Sequence, residues 1–275
     1  MQENRALLIA TFFLLTWVSA CRPTTSPAPV SDAPQPIPLK IMAFNVHRFE
    51  SGLESISNLT RQQDADIICL QEAHYVDFAQ AKEDPVGLLA QRLKGLSQVS
   101  RATLGIPEDQ ACDEAILCRW PILGAKAHTL DKGGWVFAVE AVLDIDGRTV
   151  RVFSVHLHAT WKIFDPKHVK ESSETRRKQV EALLALVRES RDDVIIAGDF
   201  NATPDSQDYA LLTSVLSDLA IGDHRNAPTI PATLPLLRID YIMGKGEFVS
   251  KSYRVLNCTL SDHRPVFAEV DLHLN

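Results

Sequence analysis

The sequence predicts an α/β fold in which helices cover β-sheets in layers. Two short, continuous apolar runs, DIICLQ at 66–71 and VIIAG at 194–198, are typical of strands that are buried on both faces. The segment Arg176–Ser190 repeats apolar residues at i, i+3, i+4 and i+7 from Val180, which is the pattern of an amphipathic helix. Buried strands together with such a helix indicate a layered α/β sandwich.

Most of the chain can be assigned to strands and helices in turn. Further strands are predicted at Leu39–Asn45, Glu114–Cys118, Trp135–Ile145, Thr149–Leu157, Arg238–Met243, Lys251–Leu256 and Val266–Leu272. Further helices are predicted at Leu53–Gln63, Val86–Leu96 and Ser206–Leu216. The pair Asp146-Gly147 separates two of these strands and is a hairpin-turn signal. No second linker or internal repeat interrupts the pattern, so we expect one domain at 39–275.

The N-terminal segment differs in composition from this domain. An apolar run, Ala6–Ala20, follows a short polar start. As a helix it would be about 22 Å long, which is too short for a membrane core of roughly 30 Å, so it predicts a signal peptide at 1–20. The run ends in VSAC at 18–21, which resembles the lipobox of bacterial lipoproteins. We therefore expect lipidation of Cys21; the alternative is a plain secretory signal followed by a chance cysteine.

The segment that follows Cys21 is rich in proline. Residues 21–38 contain six prolines, a density that forbids helix and sheet pairing and favours an extended tether. The sequence thus predicts an exported bacterial lipoprotein at the outer membrane, at the cell surface or in the periplasm, held at a membrane by the lipid on Cys21.

Composition and charge limit the partners of the domain. The chain has 275 residues, of which 45% are hydrophobic and 23% charged, enough apolar material for a large core. Its formal net charge is −7 and its sequence pI is about 5.7. Proteins that grip a nucleic-acid backbone usually carry a basic surplus, so this balance argues mildly against a general nuclease. No protein partner is indicated.

Four cysteines follow Cys21, namely Cys69, Cys112, Cys118 and Cys258. In an extended segment the Cα atoms of Cys112 and Cys118 would lie roughly 20 Å apart, too far for a disulfide. No spacing resembles a zinc site. We expect buried free thiols at Cys69 and Cys118.

Polar side chains stand where the predicted apolar strands end. They are Asn45, Glu72, His156, Asp199, Asn201, Asp240, Asp262 and His263. Strands that end at a shared edge bring such groups into one cleft, the usual position of a ligand in layered α/β folds. We therefore predict that these eight residues build one site.

The residue types suggest a chemistry for this site. Glu72 offers a hard carboxylate oxygen, which suits Mg²⁺. Asp199 and Asn201 are two residues apart, so in an extended segment both would face the same way and could orient a water molecule. His156 and His158 also share a face, as zinc ligands can, but no further His or Cys stands at a suitable spacing. His158 is therefore not expected to bind a metal.

Six motifs occur in order along Leu39–Leu272. They are LQE at 70–72, AILCRWPI at 115–122, VHLH at 155–158, GDFN at 198–201, RIDYI at 238–242 and SDHRPV at 261–266. Together they resemble the endonuclease/exonuclease/phosphatase family. The resemblance implies two packed mixed β-sheets flanked by helices. It also implies a metal-dependent hydrolase of phosphate esters, foremost a phosphodiesterase of a nuclease-like or sphingomyelinase-like kind.

The resemblance assigns roles to the eight residues. It implies a divalent ion, Mg²⁺ with Mn²⁺ as the alternative, near Asn45, Glu72 and Asp262. It implies that catalysis involves His156, Asp199, Asn201, Asp240 and His263. Asp240 would pair with His263, and His156 would bind phosphate or donate a proton. Either His263 or Asp199 would be the base.

Two other functional classes compete with this interpretation. The calcineurin-like metallophosphoesterases also place a GD motif after a strand, but they need a GNH motif, which this sequence lacks. A non-catalytic surface-binding lipoprotein on the same scaffold would be expected to lose catalytic residues, whereas every matched position here is filled.

The sequence leaves the substrate open among nucleic acid, phospholipid head groups and small phosphoesters. Residues 202–237 and the loop at 161–170 are expected to line the cleft, but neither contains a diagnostic motif. The loop sequence WKIFDPKHVK is basic and aromatic. It indicates either contact with a nucleotide or lipid head group, or a solvated loop with one aromatic residue in the core.

Overall fold

The structure is a computed structural model that describes residues 35–74, 84–107, 110, 112–134 and 136–273. The predicted signal peptide, Cys21 and the tether up to residue 34 lie outside these ranges. Residues 34–275 form a compact unit by themselves. Among the described helices, none has the length and apolar character needed to cross a membrane.

Twelve strands and five α-helices make up the described domain. The strands are β1 Ile37–Asn45, β2 Ile67–Gln71, β3 Ser97–Val99, β4 Ala115–Cys118, β5 Ile122–Thr129, β6 Phe137–Ile145, β7 Arg148–His156, β8 Asp193–Asp199, β9 Ser217–Asp218, β10 Asp240–Lys245, β11 Phe248–Val255 and β12 Val266–Leu272. The helices are α1 Leu53–Gln63, α2 Pro85–Arg92, α3 Arg101–Leu104, α4 Pro166–Glu189 and α5 Gln207–Thr213.

The strands form two packed, mixed, six-stranded sheets. One has the order β11-β12-β1-β2-β4-β3 and the other β5-β6-β7-β8-β10-β9. Each sheet contains one parallel pair at its centre, β1 with β2 and β7 with β8, while the other pairs are antiparallel. The predicted fold class, an α/β sandwich of two packed mixed sheets flanked by helices, is confirmed.

Apolar layers lie on both sides of each sheet. Between the sheets, Ile41 and Ile67 of one share a buried cluster with Val152 and Ile195 of the other. Helix α4 covers the outer face of the second sheet, and α1 and α2 cover that of the first. A central strand therefore buries both faces, which explains the continuous apolar runs that the sequence shows.

The register of the central strands determines where the polar strand ends meet. In the first sheet Asn45 pairs with Gln71, the residue before Glu72. In the second sheet Asp199 lies between His156 on β7 and Asp240 on β10. Because parallel strands end at the same edge, both pairs bring their polar residues to one edge of the sandwich.

Two predicted boundaries were wrong for reasons that the structure makes clear. Strand β1 begins at Ile37, so Pro38 belongs to the sheet and not to the tether. Proline has no backbone N–H to donate, but β2 pairs with β1 only from Ile41 onward, so no hydrogen bond to β2 is lost at Pro38. Helix α4 begins at Pro166, ten residues before the predicted Arg176. Its first turns are mostly exposed and lack an apolar period, but Asp165 caps them by accepting from the Lys167 and His168 N–H groups.

Several further elements differ from the prediction: β3, β9 and α3 were not predicted, and α2 and β5 differ for reasons that the structure shows. Helix α2 ends at Arg92, because Lys94 and Gly95 adopt positive φ angles of 38° and 89° before β3 begins. Strand β5 was not predicted, since this edge strand is largely exposed and mixes small, basic and apolar residues. The Asp146-Gly147 hairpin turn is confirmed, with φ of 52° and 88°.

The cysteines of the described domain agree with the expectation for this part of the chain. Cys69, Cys112, Cys118 and Cys258 are all buried and free. The prediction of buried free thiols at Cys69 and Cys118 is confirmed. Burial raises the pKa of the Cys118 thiol to about 12.

Gly198, directly before Asp199, is predicted to tolerate no side chain. Its φ is +149°, and a Cβ there would lie 2.1 Å from the Val155 carbonyl oxygen and 2.9 Å from Gln71 Nε2. We expect Gly198→Ala to lower the free energy of unfolding by about 3 kcal/mol, as overpacking does at rigid sites. Gly124→Ala is the matched control, because no atom lies within 4 Å of a Cβ at that strand position. Equal urea midpoints for the two variants would contradict the prediction.

Candidate active site

A buried carboxylate, Asp199, lies at the centre of the site. It is 1% exposed at the end of β8. Its Oδ2 atom is 3.4 Å from Asn45 Nδ2, 3.5 Å from His156 Nε2 and 3.6 Å from His263 Nε2. Three nitrogens from separate parts of the chain thus surround one oxygen, and the amide and imidazole groups stabilise its negative charge.

A second carboxylate orients His263. Asp240 Oδ2 is 3.0 Å from His263 Nδ1, and both residues are buried. Thr229 Oγ1 in turn accepts a hydrogen bond from the Asp240 N–H. Burial by itself would lower the pKa of His263, but the negative charges of Asp240 and Asp199 outweigh it and raise that pKa to about 10. The imidazole is therefore a proton and hydrogen-bond donor at neutral pH.

The turn after β8 gives Asp199 a further hydrogen bond. The segment is not extended as the sequence interpretation assumed, because Asn201 has a positive φ of 49° and its N–H donates to Asp199 Oδ1 at 2.9 Å. Asn201 Nδ2 donates to the Leu157 carbonyl at 2.8 Å, which fixes its side chain. Burial, followed by the charge of Asp240, raises the pKa of Asp199 against the opposing effect of His263. Asp199 is thereby a stronger base than an exposed aspartate.

Glu72 lies on the other side of Asn45. Asn45 Nδ2 donates to Glu72 Oε1 at 3.2 Å, so one amide bridges Glu72 and Asp199. Glu72 Oε2 is buried and has no hydrogen-bond partner among the described residues; the nearest cation is Arg48, whose Nε is 3.5 Å away. A buried carboxylate oxygen without a donor is a fitting ligand for a hard divalent cation. The site thus suits the ion that the sequence predicts.

A second group of ligand atoms lies deeper. One potential ligand atom each from Asp199, Asp240 and His263 falls within 4.8 Å of the others. His263 Nδ1 is hydrogen-bonded to Asp240, and Nε2 faces Asp199 Oδ2 at 3.6 Å, so carboxylates on both sides of the ring favour a protonated imidazole. Glu72, which lacks such a donor, is therefore the better position for a cation.

The structure places Asp262 at the rim of the site. Its side chain is about half exposed, and its Oδ1 is 3.7 Å from His47 Nδ1. The sequence analysis did not include His47 and Arg48 in the site, although they follow the strand-end residue Asn45 by two and three residues. Both have positive φ angles, of 44° and 56°, a backbone conformation that is uncommon outside glycine and clusters at functional sites. The rule that polar residues at strand ends form the site could have found them.

His158 stands apart from these residues. Strand β7 ends at His156, so the alternation of the strand does not extend to His158. The His158 N–H donates to Gln179 Oε1, and burial followed by the charge of Arg176 lowers the pKa of its imidazole. That His158 binds no metal stays a prediction.

A comparison with protein-family models identifies the chain. The model of the endonuclease/exonuclease/phosphatase family matches residues 42–263, a range that includes all eight predicted site residues. The chain belongs to this family. Its members hydrolyse phosphoesters and depend on a divalent metal ion. A search of curated proteins found no match.

Solved structures share the fold of this family member. An endonuclease/exonuclease/phosphatase family protein from Bacteroides thetaiotaomicron aligns with a TM-score of 0.67 at 19% identity, covering 87% of this chain and all of its own. D. rerio TDP2 humanized by 14 mutations gives 0.65 at 18% identity, over 85% and 98% of the two chains. A mannosyl-6-phosphatase from B. thetaiotaomicron gives 0.63 at 20% identity, over 84% and 99%.

His263 is predicted to remain protonated well above neutral pH in the metal-free domain. Because its pKa is raised in the fold, its charge stabilises the fold fully below about pH 6.5, and this contribution is lost as the pH rises through about 10. NMR titration of the imidazole nitrogens in chelator should show this shift, and Asp240→Asn should return the pKa toward 6.5. A wild-type titration near 6.5 would refute the assignment.

Proposed function

We propose that this protein is a divalent-metal-dependent phosphodiesterase, nuclease-like or sphingomyelinase-like in its substrate. One observation carries the proposal: Asp199, a buried carboxylate of raised pKa, faces an amide and two imidazoles. Asn45 also bonds to Glu72, whose Oε2 has an ion pair with Arg48 but no hydrogen bond among the described residues. A proton acceptor, hydrogen-bond donors and an ion ligand are the parts that hydrolysis of a phosphate ester requires.

Glu72 would hold the ion, with Asn45 orienting the carboxylate and Asp262 at the rim of the site. The ion, Mg²⁺ or Mn²⁺, would neutralise charge that develops on the phosphate oxygens. Arg48 forms an ion pair with Glu72 Oε2, and if Glu72 held the ion instead, the guanidinium would be free to bind a phosphate oxygen. The proposal therefore predicts a site that binds cation and phosphate together.

The residues of the chain divide the remaining tasks. Asp199 accepts a proton from the attacking water. Its raised pKa makes it a stronger base than an ordinary aspartate, and His263 is already protonated and cannot accept the proton. The water oxygen forms a bond to phosphorus as the bond to the leaving oxygen breaks, and the leaving oxygen takes up a proton from solvent to become an alcohol. His263 and His156 donate hydrogen bonds to the phosphoryl oxygens, and Asn201 supports the orientation of Asp199. This division assigns the base to Asp199, which the sequence left open.

We further propose that the enzyme acts outside the cytoplasm while tethered to a membrane through lipid on Cys21. The apolar run before Cys21, the small residues beside it and the prolines after it support this location. The compact unit at 34–275 holds the candidate site within its own fold, so the tether needs to contribute no catalytic residue.

Phosphate monoesters and phosphodiesters are both candidate substrates. One structural neighbour is named a mannosyl-6-phosphatase, a name that denotes a phosphate monoester as substrate. The acidic balance of this chain argues mildly against long nucleic acid, and a tethered enzyme meets phospholipid head groups and small phosphoesters. We rank phosphodiesters first among these.

Metal dependence is tested with the fragment 34–275, which retains all of β1. Bis-(p-nitrophenyl) phosphate, p-nitrophenyl phosphate, plasmid DNA and sphingomyelin are offered in parallel with Mg²⁺, with Mn²⁺ and with chelator. We expect turnover that the chelator abolishes and that Glu72→Gln weakens by raising the metal concentration needed for half-maximal rate. Turnover that is unaffected by chelator would refute the metal assignment, and no turnover on any substrate would favour a binding-only role.

The base and donors are tested by substitution. Asp199→Asn is expected to lower kcat about a thousandfold, within the range for loss of a general base. His156→Gln should lower kcat about a hundredfold, the lower end of that range. His158→Gln is the matched control and should leave kcat close to that of the wild type, because the charges that act on its imidazole are those of Arg176, His168 and Asp131 and not that of Asp199. Similar rates for the His156 and His158 variants would contradict the assigned roles.

A further inference from the structure

The loop that leaves the catalytic end of β7 exposes large apolar side chains. Trp161, Ile163 and Phe164 are 77%, 65% and 95% exposed. Of the two alternatives for this loop, the one with an aromatic residue in the core was wrong, because both aromatic residues face solvent. A cluster of exposed apolar side chains of this size marks contact with another surface.

A second loop at the same edge has the same character. Leu234, Leu236 and Leu237 are each more than half exposed. This loop leads into Asp240, and its backbone is fixed to the catalytic segment, since the Ala232 N–H donates to the Asp262 carbonyl at 2.7 Å. Apolar loops therefore leave both catalytic strand ends, one after His156 and one before Asp240.

Buried groups hold the base of the first loop. Arg176 donates from Nη1 to the His158 carbonyl at 3.0 Å and to Thr160 Oγ1 at 3.4 Å, and from Nε to Asp208 at 2.8 Å. Asp165 closes the other end as the cap of α4. Because both ends are fixed, the exposure of Trp161 and Phe164 is a property of the fold.

The first loop is basic although the whole chain is acidic. Lys162, Lys167 and Lys170 are exposed within it or on the first turns of α4, where Lys167 and Lys170 pair with Glu171 and Glu174 at 3.8 Å. The acid among residues 160–170 is Asp165, whose carboxylate accepts from two backbone N–H groups. Among the described residues Lys162 forms no ion pair, and this cation between Trp161 and Ile163 favours an anionic partner.

We propose that these two loops dock the domain on the surface of an anionic phospholipid bilayer. Trp and Phe on a loop tip insert at the boundary of head groups and acyl chains, and neighbouring lysines bind anionic head groups. The protruding tips suit a deformable lipid surface. Docking in itself does not rest on catalysis. One consequence does rest on the proposed function: the cleft would face the bilayer, which places phosphodiesters of lipid head groups beside Asp199.

The chain provides a matched control surface. Leu123 is 62% exposed, and its neighbour Ile122 pairs with Leu143, which pairs with Val150 near the start of β7. Leu123 therefore lies at the end of the sheet opposite His156. It has comparable exposure but should not reach a bilayer that contacts the catalytic edge.

The test is co-sedimentation of the fragment 34–275 with vesicles of equal parts phosphatidylglycerol and phosphatidylcholine, and with pure phosphatidylcholine. We expect stronger binding to the anionic vesicles. Trp161→Ser with Phe164→Ser should weaken it at least about tenfold, and Leu123→Ser should not. Lys162→Gln should weaken it about fivefold, with the effect confined to anionic vesicles.

Catalytic failure and docking failure are separated by two further measurements. The loop variants should hydrolyse bis-(p-nitrophenyl) phosphate at the wild-type rate, and their thermal midpoints report the fold if no turnover exists. Equal vesicle binding by the wild type and the Trp161/Phe164 variant, or no binding to anionic vesicles, would overturn the proposal. If sedimentation velocity showed a dimer that depends on Trp161, and no vesicle binding occurred, the proposal would be overturned and the loops would instead bind a second copy of the chain.

Discussion

The site depends on the burial of one charge, the carboxylate of Asp199. Removal of a carboxylate from water costs several kcal/mol unless it is paired and hydrogen-bonded. Here the partners come from β1, from β7, from the segment before β12 and from the turn after β8. A shift of any one of these segments would remove one of the four partners that stabilise the carboxylate. Correct pairing within and between the two sheets is therefore a condition for stabilising the charge.

The same constraint divides the carboxylates into different roles. Asp199 is enclosed by donors, and burial raises its pKa. Glu72 shares the Asn45 amide with it but keeps one oxygen without a hydrogen-bond partner among the described residues. Groups whose environments differ in this way serve different steps of a reaction. We therefore assign ion binding to Glu72 and proton acceptance to Asp199, although both lie within reach of one amide.

Much of this arrangement could be predicted from the sequence, because strand ends in layered sheets meet at an edge. The runs at 66–71 and 194–198 indicated central strands, and the acids after them entered the candidate site on that ground. Local chemistry with an unusual backbone could not be predicted as well. Asn201 was assumed to be extended, whereas it turns with positive φ and caps Asp199. The left-handed conformation of His47 and Arg48 could not be predicted either, although their position after the strand-end residue Asn45 was a signal for the site. The exposed start of α4 was missed because its stability comes from a cap and from Arg176, not from an apolar stripe.

The division between Glu72 and Asp199 is tested most directly by the position of the bound ion. Crystals of the fragment 34–275 soaked in Mn²⁺ can be measured at the manganese edge, where anomalous scattering locates the ion without ambiguity. The account predicts a peak on Glu72, beside Asn45, with Asp199 still bonded to the Asn201 N–H and facing His263. A peak between Asp199, Asp240 and His263 would contradict it, because the proposed base would then be a metal ligand.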